Sequence, residues 1–221
     1  MKYSAKEIYF TLQGEGYHTG RAAVFLRFAG CNLWTGLEKD RAKAICNFCD
    51  TDFVGTNGPG GGKFRGAKAL AKAVAAQWKP DKRSLPRGSA QRESSGFVVC
   101  TGGEPLLQLD DAAIAALHDA GFEIAVETNG TIAPPAGIDW ITMSPKPATK
   151  LKLTRGHELK LIYPQKGAEP ERYEPLAFDH FFLQPMDGFE REKNTRLAMD
   201  YVRRHPKWRL SLQTHKILGI P

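Results

Sequence analysis

The apolar positions of this chain gather into seven short runs that read as strands: residues 23–28, 97–101, 123–127, 140–143, 158–163, 180–183 and 209–213. Several are nearly continuous rather than alternating, the pattern of strands buried on both faces of a parallel sheet. Three stretches read as helices. Residues 68–78 are Ala-rich, and residues 110–120 begin behind an acidic cap and stop at Gly121. Residues 190–204 are acidic at the start, basic at the end and followed by Pro206.

Strand–helix alternation predicts an α/β fold with a parallel sheet or barrel. The connections 128–139 and 145–156 are too rich in Pro and Gly for helices, and 221 residues fall short of the roughly 250 of a complete eight-fold barrel. The expectation is an incomplete TIM-type (βα) barrel with a mostly parallel sheet and some helices missing, built as one domain over 1–221. In such folds the segments that follow the strands line one mouth. Here they are 102–105, 128–130, 144–146 and 184–187, all polar or turn-forming. Residues 55–66 are glycine-rich but fail as a phosphate loop, because Phe64 follows Gly62-Lys63 and Asn57 stands where the first glycine belongs. They read as a flexible loop, and the polar stretch 79–96 as a surface excursion.

Composition narrows the function. The apolar fraction of 42% is ordinary for a globular protein, and no apolar run approaches the roughly 20 residues that cross a bilayer. Residues 1–7 have no apolar core of a signal peptide, so the expected location is cytoplasmic, with no membrane partner. The net charge of +7 is spread along the chain without an aromatic-interleaved stripe. That reads as a solvated basic surface rather than a direct nucleic-acid interface.

Four cysteines in a reducing compartment favour metal binding or catalysis over disulfides. Cys46-Asn47-Phe48-Cys49 places two thiols one tight turn apart, and fourteen residues separate Cys31 from Cys46. Three thiolates are one short of a closed four-ligand site, and an open position binds a reactant. A structural zinc site in a nucleic-acid-binding protein is the competing reading, with Cys100 or His18 as fourth ligand. Against it, Cys100 ends the apolar run 97–99 and reads as a buried small hydrophobe, and a second close cysteine pair is missing. An iron–sulfur cube on three thiolates leaves one iron free to chelate an amine and a carboxylate. The run Thr101-Gly102-Gly103-Glu104-Pro105, straight after a buried strand, suits close backbone approach and acceptance from an ammonium group.

With these residues the chain resembles the radical S-adenosylmethionine enzymes: an aromatic before the last cluster cysteine, and Gly102-Gly103-Glu104-Pro105 as the motif at the methionine end of the cofactor. The wide first cysteine spacing is similar to one family, the 7-carboxy-7-deazaguanine synthases. Leu12-Gln13-Gly14-Glu15-Gly16 ahead of the first strand, Arg27 on that strand, Asp50-Thr51, and Glu127-Thr128-Asn129-Gly130 extend the likeness. So do Ser144-Pro145-Lys146, Gln184-Pro185-Met186-Asp187, His215 and Pro221.

The resemblance implies ring contraction of 6-carboxy-5,6,7,8-tetrahydropterin to 7-carboxy-7-deazaguanine with loss of ammonia. It implies a [4Fe–4S] cluster on Cys31, Cys46 and Cys49 in a loop of about 29–52. The open iron would hold S-adenosylmethionine, whose deoxyadenosyl radical takes a hydrogen from substrate C6. Asn47, Phe48, Cys49 and Asp50 would contact the adenosyl group, and Gly103 and Glu104 the methionine end. Ser144, Pro145, Lys146, Gln184, Pro185, Met186 and Asp187 would take the rest of the cofactor. Leu12, Gln13, Gly14, Glu15, Arg27, Thr101, Glu127, His215 and Pro221 would bind the pterin. Thr51 would bind Mg2+. An electron donor such as flavodoxin is implied, and exposed sheet edges admit a homodimer.

Overall fold

The structure, a computed structural model, describes residues 2–79 and 96–221. Nearly all of the predicted excursion 79–96 lies outside the described residues. Nine strands form one unclosed sheet: β1 Lys2–Leu12, β2 Ala22–Phe28, β3 Gly62–Arg65, β4 Gly96–Gly102, β5 Phe122–Thr128, β6 Trp140–Met143, β7 Arg155–Tyr163, β8 Ala177–Pro185 and β9 Trp208–Leu210. Their order is β3-β1-β2-β4-β5-β6-β7-β8-β9. From β2 to β9 all pairs are parallel, and β1 pairs antiparallel with both β2 and β3. This is the incomplete barrel predicted above.

Helices α1 Ala67–Gln77 and α2 Asp111–Asp119 cover one half of the outer face, and α3 Arg191–Arg204 the other. Leu70, Val74 and Leu117 pack there against Leu26, Cys100 and Val126. Ala198 and Tyr201 pack against Leu159 and Leu161. Asp110 caps α2, its carboxylate accepting from the Ala113 N–H at 2.9 Å. The connections 129–139 and 144–154 are turns and coil, as their prolines dictate.

The N-terminal region differs from the expectation. The segment Leu12–Gly16 does not precede the first strand; it leaves β1 and leads to β2. Strand β1 escapes the pattern because its register slips between Ala5 and Glu7, so its buried positions do not alternate strictly. The glycine-rich stretch 55–66 is not simply a loop: Gly62–Arg65 forms the edge strand β3 on β1. A Cβ at Gly61 would lie 2.2 Å from the Lys6 carbonyl, so glycine there permits close approach to β1. The predicted strand 209–213 leaves the sheet after Leu210, and its continuation turns into a fourth helix, α4 Thr214–Leu218.

Candidate active site

Strand alternation builds the site. Leu26, Cys100, Val126, Leu159 and Leu161 point to the helices, so their neighbours Arg27, Thr101, Glu127, Glu158 and Lys160 turn to the inner face. Arg27 pairs in register with Thr101 across β2 and β4. The inner face opens into a cavity of about 360 Å3 at the carboxyl ends of the strands.

Cys31, Cys46 and Cys49 all line this cavity, and so do Phe48, Asp50, Thr51 and Gly103. Ser144, Lys146, Gln184, Pro185, Met186 and Asp187 join them from the ends of β6 and β8. All nine expected substrate residues line it as well: Leu12, Gln13, Gly14, Glu15, Arg27, Thr101, Glu127, His215 and Pro221. Three expected residues do not. Asn47 is exposed, and its carbonyl accepts from Arg41 at 3.0 Å. Pro145 is buried. Glu104 is fully buried, and its carboxylate accepts from Leu106 N at 3.0 Å, Thr128 Oγ1 at 2.7 Å and Asn129 N at 2.8 Å. Glu104 thus ties the glycine turn to the end of β5.

The thiols differ in character. A hydrogen bond from the Cys46 thiol pulls Cys49 down to about 6. The same bond pushes Cys46 up. Burial raises Cys31. The fourth cysteine, Cys100, is fully buried in β4 under the helices, as expected of a small hydrophobe. His18 packs against Trp140 and Phe97 and does not line the cavity. Among the described residues no three His, Cys, Asp or Glu side chains gather tightly enough to chelate one ion. Three free thiols along one cavity are instead a soft donor set of the kind an iron–sulfur cube accepts at separate irons.

The polar wall is tightly coupled. Arg27 Nε donates to Glu7 Oε1 at 2.7 Å, and its Nη2 to Tyr9 Oη at 3.1 Å. Burial works against the guanidinium, but Tyr9 and Glu7 outweigh it and raise its pKa. Lys146 donates to Ser144 O at 2.7 Å and Oγ at 2.8 Å, and burial lowers its pKa. Lys216 bridges Asp50 at 2.7 Å and Asp187 at 2.6 Å, fastening α4 across the mouth.

Sequence reasoning missed Lys160, Gln213 and Lys216, and the partners Glu7 and Tyr9. For Lys160 a signal existed. In Glu158-Leu159-Lys160-Leu161 charged and apolar residues alternate, which marks a strand with one polar inner face. Gln213 and Lys216 carry no such signal, because only the fold brings them to Glu15, Asp50 and Asp187.

An unclosed (βα) barrel with three thiols at its carboxyl-end mouth defines the class: a radical S-adenosylmethionine barrel. No family model matches the chain. It is 61% identical over 223 residues to the 7-carboxy-7-deazaguanine synthase of Caulobacter vibrioides, covering 100% of both chains. It is 60% identical over 220 residues to that of Bradyrhizobium diazoefficiens, again covering 100% of both. The crystal structure of QueE from Escherichia coli superposes with a TM-score of 0.68 at 26% identity, over 96% of this chain and 94% of that one. The chain belongs to the 7-carboxy-7-deazaguanine synthase family. Membership brings a [4Fe–4S] cluster and S-adenosylmethionine as cofactors. Among the described residues no helix is long and apolar enough to cross a membrane.

Proposed function

We propose that this chain is a radical S-adenosylmethionine lyase that contracts 6-carboxy-5,6,7,8-tetrahydropterin to 7-carboxy-7-deazaguanine with loss of ammonia, in queuosine-precursor synthesis. One observation carries the reading: a single cavity holds three free thiols together with a guanidinium, Arg27 of β2, and a carboxylate, Glu127 of β5, both on the inner face. The cluster and cofactor supply, when bound, the one-electron chemistry that removes hydrogen from substrate C6.

The chain's own residues bind, orient and shield. Cys31, Cys46 and Cys49 hold three irons. Phe48, flanked by Asn47 and Asp50, covers the adenosyl group. Gly103 admits the methionine end while Glu104 fixes its turn. Ser144, Pro145, Lys146, Gln184, Pro185, Met186 and Asp187 complete the cofactor subsite. Arg27 turns Nη1 to the pterin carboxylate, since Glu7 occupies Nε and Tyr9 accepts from Nη2. Glu127 accepts from the amino and ring N–H groups, with Leu12, Gln13, Gly14, Glu15 and Thr101 around it. His215 and Pro221 close the substrate side.

Thr51 supplies a hydroxyl to Mg2+, a hard cation that takes its other oxygens from substrate and water. A small acidic redox protein such as flavodoxin delivers the electron. The enzyme works in the cytoplasm, and its open sheet edges suit a homodimer.

Anaerobic reconstitution with iron and sulfide gives a brown protein under this reading. With reductant, S-adenosylmethionine, magnesium and the carboxytetrahydropterin it releases 7-carboxy-7-deazaguanine. A reconstituted cluster with no product from that substrate sinks the assignment. One tightly held zinc, with no sulfide, sinks the cluster as well.

A further inference from the structure

We infer that Lys160 is a positioning residue for substrate recognition, its ammonium holding Glu15 and Glu127 as a paired acceptor for the N–H-rich edge of the pterin. The inference rests on the functional reading above and adds a residue that sets the substrate class.

Lys160 lies on the inner face of β7, lines the cavity, and has a side chain only 5% exposed. Its Nζ donates to Glu15 Oε2 and, at 3.4 Å, to Glu127 Oε1. One carboxylate comes from the β1–β2 connection and the other from β5, so the ammonium ties two distant segments to one point.

Neutral donors fix the same carboxylates. Gln213 Nε2 donates to Glu15 Oε1 at 3.0 Å. Gln13 Nε2 donates to Glu127 Oε1 at 3.2 Å, and Thr101 Oγ1 to Glu127 Oε2 at 3.1 Å. An ionised carboxylate has about four acceptor positions. Glu15 spends two of these and Glu127 three, which leaves about three between them. The 2-amino-4-oxopyrimidine edge of a pterin presents three N–H donors, two on the amino group and one on the ring. The match holds only while both carboxylates are ionised, because a protonated one offers a donor to a donor.

The charges around this point explain why a cation is needed. Glu15, Glu127 and Glu158 face Lys160, and Lys146, His215 and Tyr9 also act on these groups. Burial by itself raises Glu15, yet Lys160, together with the Gln213 hydrogen bond and His215, outweighs it and holds the carboxyl below its ordinary range. Burial likewise disfavours the Lys160 ammonium, but Glu127, Glu15 and Glu158 reverse that and raise its pKa. Glu158 makes no hydrogen bond to Lys160, and burial pushes it up to about 7.

The experiment uses the reconstituted enzyme and the carboxytetrahydropterin. In Lys160→Met the KM for the pterin rises about tenfold at neutral pH. The kcat and the KM for S-adenosylmethionine stay close to wild type. That rise shrinks as the pH increases, because binding needs an ionised Glu15 whose titration has moved upward. Lys160→Arg, which keeps the charge, restores most of the affinity. Calorimetric titration of the unreduced holoenzyme with pterin reports the same order of affinities without turnover. If Lys160→Met does not fold, the double variant Lys160→Met/Glu158→Gln also removes a buried carboxyl that would ionise beside the lost ammonium, and is measured in its place. A KM rise that is the same at every pH, or equal losses for pterin and S-adenosylmethionine, overturns the inference and leaves the functional reading standing. A wild-type enzyme that makes no product overturns that reading, and the inference with it.

Discussion

A Cβ placed on Gly103 would lie 2.7 Å from the Cβ of Cys31, and 2.1 Å from the carbonyl oxygen of Gly30. The glycine turn after β4 and the loop carrying Cys31 are therefore in direct backbone contact. Two hydrogen bonds join them: Gly103 N to Phe28 O at 3.4 Å and Glu104 N to Gly30 O at 3.0 Å. The two motifs are one structural unit, in which the glycine turn sets the position of Cys31.

Gly103→Ala tests this contact. The methyl group has no room unless the backbone at Gly30–Cys31 moves, so the three thiols lose their mutual spacing. Reconstituted protein is expected to carry less iron and sulfide per chain and to bind S-adenosylmethionine more weakly. Iron and sulfide analysis with calorimetry checks both. Full cluster content with unchanged cofactor affinity would show that the contact relaxes without consequence.

Arg27→Ala is expected to weaken pterin binding by roughly 10- to 100-fold, the loss of charge-assisted hydrogen bonds to a carboxylate. Cofactor binding falls much less. Glu7→Gln gives a smaller loss of the same kind, because Glu7 only aims the guanidinium through its 2.7 Å bond to Nε. Arg27→Lys does not restore full affinity, since an ammonium cannot reproduce the planar fork. Equal losses for pterin and S-adenosylmethionine would contradict the clamp.

Glu104→Ala addresses stability rather than chemistry. The carboxylate satisfies Leu106 N, Thr128 Oγ1 and Asn129 N in a fully buried place. Removing it strands three donors and opens a cavity, at a cost of about 3–5 kcal/mol. Urea denaturation of the cluster-free protein measures the loss. A change below about 1 kcal/mol, the size of an exposed contact, would refute the structural role.

The parallel part of the sheet was legible because buried strands write continuous apolar runs; β6 runs over Trp140–Met143, as its apolar positions predict. The missing helices were legible from prolines. Strand β1 was not, because its bulge at Ala5/Glu7 breaks the alternation that a pattern search needs. Nor was β3, a four-residue edge strand whose partner is that same irregular β1. Within the cavity, residues inside motifs were found and their partners were not. Arg27 stood out as a charge in an apolar run. Glu7, which aims it, sits in the bulged strand. Lys216 lies on an exposed five-residue helix, and only the return of the chain to the mouth gives it Asp50 and Asp187 as partners. Contacts between residues this far apart in sequence leave no local trace in either segment.

Glu158 gives the fold a pH dependence of definite sign. Burial raises its carboxyl from 4.5 to about 7, while Tyr17 N–H donates to it at 3.0 Å. The folded state therefore holds this proton to higher pH than the unfolded chain does. The resulting stability is fully present below about 4.5 and is lost as the pH rises through about 7, a change of about 3 kcal/mol. His18, lowered by burial, contributes with the opposite sign, but it is common to wild type and variant and cancels in their difference. Glu158→Gln keeps an acceptor for Tyr17 and removes the titration. Relative to wild type, the variant is expected to gain stability between pH 5 and pH 8. Urea denaturation of both cluster-free proteins at the two pH values measures this difference. A variant whose stability tracks wild type at both would mean that Glu158 keeps its charge in the fold, with Lys160 shared among three carboxylates instead of two.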